Sequence, residues 1–360
     1  MDGGLQSGLH TAVALVVLAA GAVLIAASGL SALRACALPA ERASRVETLL
    51  VRCAVRALRF LGLRLRRHTL AQRAAVLAGP LVLIGLLLCW VAPTAFGGAL
   101  IAESAAGAHL PFGTLTEAVL GGPVVGGLPG AVVALTRFAA LVLLVLWASK
   151  VARVVEAKRC RDRLTEQVGG MACSEVDAEQ VIALYGRTRA GERLAALIDV
   201  WDAGLTEIAA THTAHPVLLL PTPPRCPNWI TVLVIMLDVA AILDVATPQA
   251  APPRTRAFLR SGCQVAQALP ALLGVEAASD APSLQGREER TFTTTLSIVE
   301  SSGWPVRGDP ADVYEAFQRW RRAYGPQTTA LATHLMCDIP ARNESHYPDV
   351  LPTAPRSRVG

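Results

Sequence analysis

Residues 74–93 read AAVLAGPLVLIGLLLCWVAP, and this stretch decides the class of fold. It follows Arg73, and no charged residue occurs between that arginine and Glu103. About 20 apolar residues in a helix are enough to cross the hydrocarbon core of a bilayer. The sequence therefore predicts a membrane-spanning helix, which we expect Pro80 to kink near its inner end and Pro93 to terminate at its outer end.

Two more stretches have the same character. Residues 11–33 carry no charge, and residues 130–149 carry only Arg137. A secretory signal peptide would have a basic segment before its apolar run, whereas residues 1–10 hold no lysine or arginine. We therefore expect a retained anchor and three spans in all.

The segments between the spans alternate in charge. Ten arginines and two glutamates lie in residues 34–73, whereas residues 94–129 contain no lysine or arginine, and basic residues return after residue 149. Cytoplasmic loops carry the excess of Lys and Arg. We expect a multi-pass protein of the cell (inner or plasma) membrane, with the N-terminus outside and the C-terminal domain cytoplasmic. Arginine far outnumbers lysine, which is typical of a GC-rich bacterial genome.

The arginines of the first inner segment are ordered. Five of them are separated by seven, four, three and seven residues and share one helix face: Arg45, Arg52, Arg56, Arg59 and Arg66. We predict a basic amphipathic helix at about residues 45–67, lying on the inner leaflet, where each arginine contributes about 1 kcal/mol with anionic lipid. A voltage sensor is the alternative, but ten arginines are too many for a segment that must enter the membrane.

Beyond residue 149 the pattern is helical. It predicts an all-α cytosolic domain at residues 150–340, with Asp309-Pro310 starting a helix that Gly325-Pro326 breaks, and a disordered tail at residues 341–360. Residues 229–247 read WITVLVIMLDVAAILDVAT and resemble a fourth span. Two acids argue for a buried helix instead, because Asp238 and Asp244 lie about 240° apart and cannot both face one protected side.

No catalytic motif emerges. GxGxxG, GxxxxGK[ST], GxSxG and HExxH are all missing from the sequence. His212 and His215 could share a metal, but no third ligand is near in sequence, so we interpret them as polar residues at a helix end. We predict no enzyme activity, cofactor, metal or nucleic-acid partner.

The order of these parts resembles bacterial pore-loop proteins of the potassium-channel-like kind. The resemblance rests on residues 77–90 (LAGPLVLIGLLLCW), 97–101 (GGALI), 215–242 and 324–340. It implies a re-entrant pore-like loop at about residues 111–125, for which an ordinary external loop is the alternative. It also implies a homo-oligomer, a tetramer if each chain supplies one pore loop.

The filter of that family is degenerate here. Potassium filters present backbone carbonyls from a Thr-x-Gly-Tyr-Gly segment, and the matching segment is Val119, Leu120, Gly121, Gly122 and Pro123. Valine removes the threonine hydroxyl, and proline fixes a backbone angle where the filter has glycine. The resemblance thus implies ion transport with low or altered selectivity.

Two questions stay open at this point. Arg137 either reaches outward to the interface, pairs with Glu103 or Glu117, or lines a pore. The whole chain either conducts ions or serves as a non-conducting membrane scaffold whose cytosolic domain binds a protein partner. The lipid bilayer is a partner in both cases.

Overall fold

The computed structural model describes residues 2–36, 44–65, 68–106, 122, 126–169, 177–220, 228–276 and 287–335. All regular structure in these ranges is helical, which confirms the predicted all-α class. The α-helices are α1 (Asp2–Cys36), α2 (Arg45–Leu65), α3 (His68–Ala106), α4 (Gly127–Gly169), α5 (Ala178–Arg187), α6 (Gly191–Ala214), α7 (Trp229–Ala246), α8 (Thr255–Leu273), α9 (Arg287–Ser301) and α10 (Pro310–Leu335). A short 3-10 helix, Pro216–Leu219, follows α6.

Three of these helices have the surface of lipid-facing spans. α1, α3 and α4 contain windows of high hydropathy of which only 11–22% is buried within the chain. Their exposed side chains include Leu81, Leu135 and Val145, which are each more than 60% exposed. Apolar surface of this extent is stable in lipid and not in water. The chain is a multi-pass membrane protein.

Glycines let the three spans approach closely. A Cβ on Gly97 of α3 would lie 2.7 Å from the carbonyl oxygen of Gly21 on α1, and a Cβ on Gly98 would lie 2.2 Å from the hydroxyl of Thr136 on α4. Consecutive residues of a helix point about 100° apart. Gly97 and Gly98 therefore face different helices, and α3 lies between α1 and α4. Small residues lie at both contacts, as is usual for helices packed inside membranes.

The second span is longer than the sequence predicted. α3 continues through Pro80 and Pro93 to Ala106, so the expected outer end at Pro93 is wrong. Proline is tolerated in a membrane helix when neighbouring groups compensate for the lost hydrogen bond. Beside Pro93 the hydroxyl of Thr94 donates to the carbonyl of Trp90 at 2.8 Å, which is one residue beyond the Cys89 carbonyl that Pro93 leaves without its helical donor.

α4 crosses the predicted boundary between the membrane and cytosolic parts without interruption. Its 43 residues make a rod about 64 Å long at 1.5 Å per residue, roughly twice a bilayer core. Residues 149 and 150, where the two parts were divided, lie within this one helix. The C-terminal helices are therefore joined to the membrane helices by a continuous helix.

The fourth apolar run, α7, is the centre of the C-terminal helices. It is 94% buried and contacts α4, α5, α8 and α10. By length and composition it could cross a membrane, yet the prediction of a buried helix is confirmed. The side chain of Asn228 caps its first turn by accepting from the N–H of Ile230 at 3.0 Å.

The last helix starts as predicted but does not break. Asp309 accepts from the N–H of Ala311 at 3.0 Å, as its place before Pro310 indicated. The predicted break at Gly325-Pro326 is wrong, because α10 runs on to Leu335. Buried side chains on both sides of Pro326 hold the helix in place, namely Phe317, Tyr324, Thr328, Leu331 and Leu335. The predicted tail at residues 341–360 lies outside the described residues.

Candidate functional site

Gly122 is the one residue of the filter-like segment that the structure describes, and it contacts Arg137, the charged residue of the third span. A guanidinium nitrogen of Arg137 donates to the carbonyl oxygen of Gly122 at 2.6 Å. This backbone partner was not among those that the sequence suggested for Arg137. Of the other residues expected there, Glu117, Val119, Leu120, Gly121 and Pro123 lie outside the described residues.

This contact constrains the path of the chain. Arg137 is ten residues after Gly127, the first residue of α4, and therefore about 15 Å along the helix axis. An extended arginine side chain is less than half that long. The carbonyl of Gly122 thus lies beside the body of α4, several ångströms below its first residue. The described contact therefore places the Gly122 carbonyl alongside α4 and not beyond its first residue.

The hydrogen bond from Arg137 also affects whether the Gly122 carbonyl can bind a cation. A potassium filter replaces the ion's water with free carbonyl oxygens. The Gly122 carbonyl is instead occupied by a charged donor, and a hydrogen bond from a cation is about twice as strong as a neutral one. A cation at this oxygen would have to displace Arg137 and would be repelled by it.

A second cluster of charged groups joins α2, α4 and the 3-10 helix. Lys150 of α4 is 1% exposed, and its ammonium lies 2.8 Å from the carboxylate of Glu47 on α2, which is fully buried. The same ammonium lies 2.9 Å from Nδ1 of His215, immediately before the 3-10 helix. Because an ammonium has only donors, this histidine nitrogen accepts. We call Glu47, Lys150 and His215 the junction triad.

Burial controls the titration of the triad. It lowers the pKa of His215 to about 4, and the charges of Lys150 and Arg153 act in the same direction. Burial also raises the pKa of the Glu47 carboxyl, while Lys150 and the backbone N–H of Val217 act in the opposite direction. At neutral pH the histidine is therefore uncharged and serves as an acceptor for the lysine.

The two acids of α7 are both satisfied. Asp238 accepts from Arg321 at 3.0 Å and forms a short hydrogen bond with the hydroxyl of Tyr324. Asp244 accepts from Arg256 at 2.7 Å and from the indole of Trp320 at 3.2 Å. Although the two positions are about 120° apart by the shorter way round, both carboxylates meet α10. They hold α10 against α7.

The predicted basic helix exists as α2, but its arginines differ in their partners. The guanidinium of Arg52 donates to the carbonyl of Leu272 at the end of α8, at 3.0 Å. Arg59 lies 3.0 Å from the ring of His334 on α10. Arg45 and Arg56 are exposed, and Arg66 lies outside the described residues. Part of the basic face thus joins α2 to the C-terminal helices.

The two histidines do not form a metal site with other described residues, among which no cluster of three metal-ligating side chains occurs. His212 is fully buried, and its ring centroid lies 5.1 Å from that of Trp229, with the two ring planes tilted by 52°. Its pKa is lowered to about 3, chiefly by burial. His215 belongs to the junction triad. The sequence signal for that triad was weak, because Lys150 resembled an ordinary basic residue after a span.

Comparison with known proteins gave no match, since no family model, no curated protein and no solved structure is similar to this chain at a significant level.

Proposed function

We propose that this membrane protein is a pore-loop protein of the potassium-channel-like kind, whose oligomer passes ions across the plasma membrane with low or altered selectivity. In this proposal α3 is the outer helix, the segment at Gly122 is the pore loop, and α4 is the inner helix. The N-terminus is outside and the C-terminal helices are cytoplasmic. The observation that supports the proposal is the hydrogen bond from Arg137 to Gly122, because it brings Gly122 alongside α4, where a pore loop would lie.

The altered selectivity follows from the same pair. In an oligomer with one loop per chain, each subunit brings one guanidinium to the level of the loop. Rings of Arg or Lys line anion-selective pores, whereas potassium filters are lined by carbonyls. The replacement of the filter threonine by Val119 and of a filter glycine by Pro123 also argues against a potassium site. We expect any ion pathway to favour anions over potassium.

A second candidate is a non-conducting membrane scaffold. It is favoured by the engagement of the Gly122 carbonyl, which leaves that oxygen unavailable to ions. In this case the long α4 would hold the C-terminal helices rigidly against the membrane, where they would bind a cytosolic protein partner.

Purified protein in planar bilayers separates these candidates. Wild type, Arg137→Gln and the control Arg163→Gln would be recorded in asymmetric KCl, and their reversal potentials compared. Arg163 is a matched control because it is 65% exposed on the same helix. The channel proposal expects currents that Arg137→Gln shifts toward cation permeability and Arg163→Gln leaves unchanged. Silence of the wild type would favour the scaffold, whether all three variants are silent or currents appear only in Arg137→Gln, because the native protein would then not conduct.

A further inference from the structure

The surface of α2 that faces away from the chain is apolar. Leu49 and Phe60 are 59% and 62% exposed, and Leu61 is 38% exposed. Cys53 and Ala57 between them are exposed as well. These residues recur at helical spacing and form one strip, which we call the apolar strip (Leu49, Cys53, Ala57, Phe60 and Leu61).

The apolar strip lies opposite the side that anchors α2. Val51, Val55 and Leu58 are buried in the main core. On a helix with about 100° per residue, Phe60 points about 180° away from Val51, and the arginines lie between these two directions. Arg52 and Arg59 on that flank turn toward the C-terminal helices, as described above. The strip is therefore an outer surface of the folded chain.

The height of α2 against α3 shows what surrounds this surface. Leu50 of α2 packs against Gly85 of α3, where its side chain lies 3.7 Å from the position of an added Cβ. At this level α3 exposes Leu81 and Ile84, at 62% and 48%, inside its uncharged span. The beginning of the strip, at Leu49, is therefore level with apolar side chains that α3 exposes within its uncharged span.

Two exposed arginines of α2 lie beside the apolar strip. Arg45 and Arg56 are exposed and make no hydrogen bond or ion pair with any described residue. Interfacial helices bury an apolar face about 5–10 Å into the boundary of headgroups and acyl chains and place basic residues beside it. The exposed guanidinium groups match the phosphates of anionic headgroups in charge and geometry, although the charge of Arg56 also acts on His334 of α10.

From this we propose that α2 is an interfacial helix that binds anionic lipid of the inner leaflet, with the apolar strip in the acyl boundary and with Arg45 and Arg56 on the headgroup phosphates. The occupant is lipid and not a second copy of the chain, because the strip continues the lipid-facing surface of α3. The site does not depend on ion conduction.

The native cysteines provide the test. Three single-cysteine forms of the full chain would be labelled with a small fluorophore in vesicles of three parts phosphatidylcholine to one part phosphatidylglycerol: Cys53, Cys89 and Val200→Cys. Cys89 is exposed on the α3 span, and Val200 is 43% exposed on α6. Quenching by lipids with a shallow or deep nitroxide is then compared with quenching by aqueous iodide.

We expect shallow-nitroxide quenching at Cys53, deep quenching at Cys89 and iodide quenching at position 200. Iodide quenching of Cys53 equal to that at position 200 would overturn the proposal. Protection of Cys53 from both quenchers would also overturn it, because a protein partner or second copy would then cover the strip. Arg45→Gln with Arg56→Gln should abolish the increase in shallow quenching that phosphatidylglycerol gives over pure phosphatidylcholine, and an unchanged increase would contradict the phosphate contacts.

A second measurement uses the wild-type chain, so that the proposal can be tested even if the single-cysteine forms do not fold. Hydroxyl-radical footprinting of the wild-type chain in nanodiscs of the same lipids reports on Leu49 and Phe60 directly. Both should be at least several-fold less modified than Val200, although all three are exposed in the chain. Equal modification would overturn the proposal.

Discussion

The buried pair of Lys150 and Glu47 should tolerate the loss of both charges far better than the loss of one. At 2.8 Å and an effective dielectric constant near 20, their attraction is about 6 kcal/mol. Desolvation of two buried ions costs a comparable amount, so the net contribution of the pair is small. Lys150→Met leaves the Glu47 carboxylate buried without its counter-charge, which destabilises a protein by about 3–5 kcal/mol.

The assay is chemical unfolding in detergent micelles, followed by tryptophan fluorescence. Lys150→Met should lose about 3–5 kcal/mol, and the double variant Lys150→Met with Glu47→Gln should recover most of that loss. Lys158→Met is the matched control, because this lysine is on the same helix and paired with Asp162 at 2.6 Å, yet it is 42% exposed. Exposed pairs contribute about 0–1 kcal/mol. Equal effects of the two single lysine variants would refute the reasoning.

Three more predictions concern pH, packing and the acid network. Stability should fall as pH drops from about 6.5 to about 4, because the unfolded chain binds protons there that buried His215 and His212 do not bind in the folded chain. His215→Gln should make this slope less steep in pH-dependent unfolding curves, and the part due to His212 should remain. Gly97→Ala should cost about 1–3 kcal/mol by overpacking against α1, whereas Gly79→Ala on the same helix, with open space around it, should cost nothing measurable in the same assay. Tyr324→Phe should destabilise the chain by about 1–3 kcal/mol because it removes a hydrogen-bond donor from buried Asp238. Hydrogen exchange of the backbone amides of α10 would detect the change. Unchanged protection of these amides would contradict the role given to the hydrogen bond between Tyr324 and Asp238.

The spans and the buried helix could be predicted because their signals are local. Apolar runs of about 20 residues need no partner to be recognised, and the acids Asp238 and Asp244 marked α7 as a helix in contact with protein. The sequence could not indicate which groups satisfy those acids, since Trp320 and Tyr324 are about 80 residues away and resembled members of an ordinary apolar stripe.

The errors came from treating proline as a local signal. Pro93 and Pro326 each remove one backbone hydrogen bond, which in isolation predicts the end of a helix. Packing against α1 and α4 in one case, and burial of Tyr324 and Leu331 in the other, keeps the helix continuous. Tertiary contacts of this kind override intrinsic propensity.

The junction triad lay beyond sequence reasoning for a related reason. Lys150 follows a span, where basic residues are expected to face water, and nothing local distinguishes it from Lys158. Its partners are about 100 residues before it and 65 residues after it in the chain. Only the packing of α2 and the 3-10 helix around α4 makes it a buried ion.

The sidedness of the chain in intact cells is the most direct test of how α1, α3 and α4 cross the membrane. Cysteine would be introduced separately at Gly126, which is exposed just before α4, and at Val200 in the C-terminal helices, in a chain without its native cysteines. We expect a membrane-impermeant maleimide to label position 126 in intact cells and position 200 only after permeabilisation. Labelling of position 200 from outside would contradict the threading of α1, α3 and α4, and with it both the pore-loop proposal and the placement of α2 at the inner leaflet.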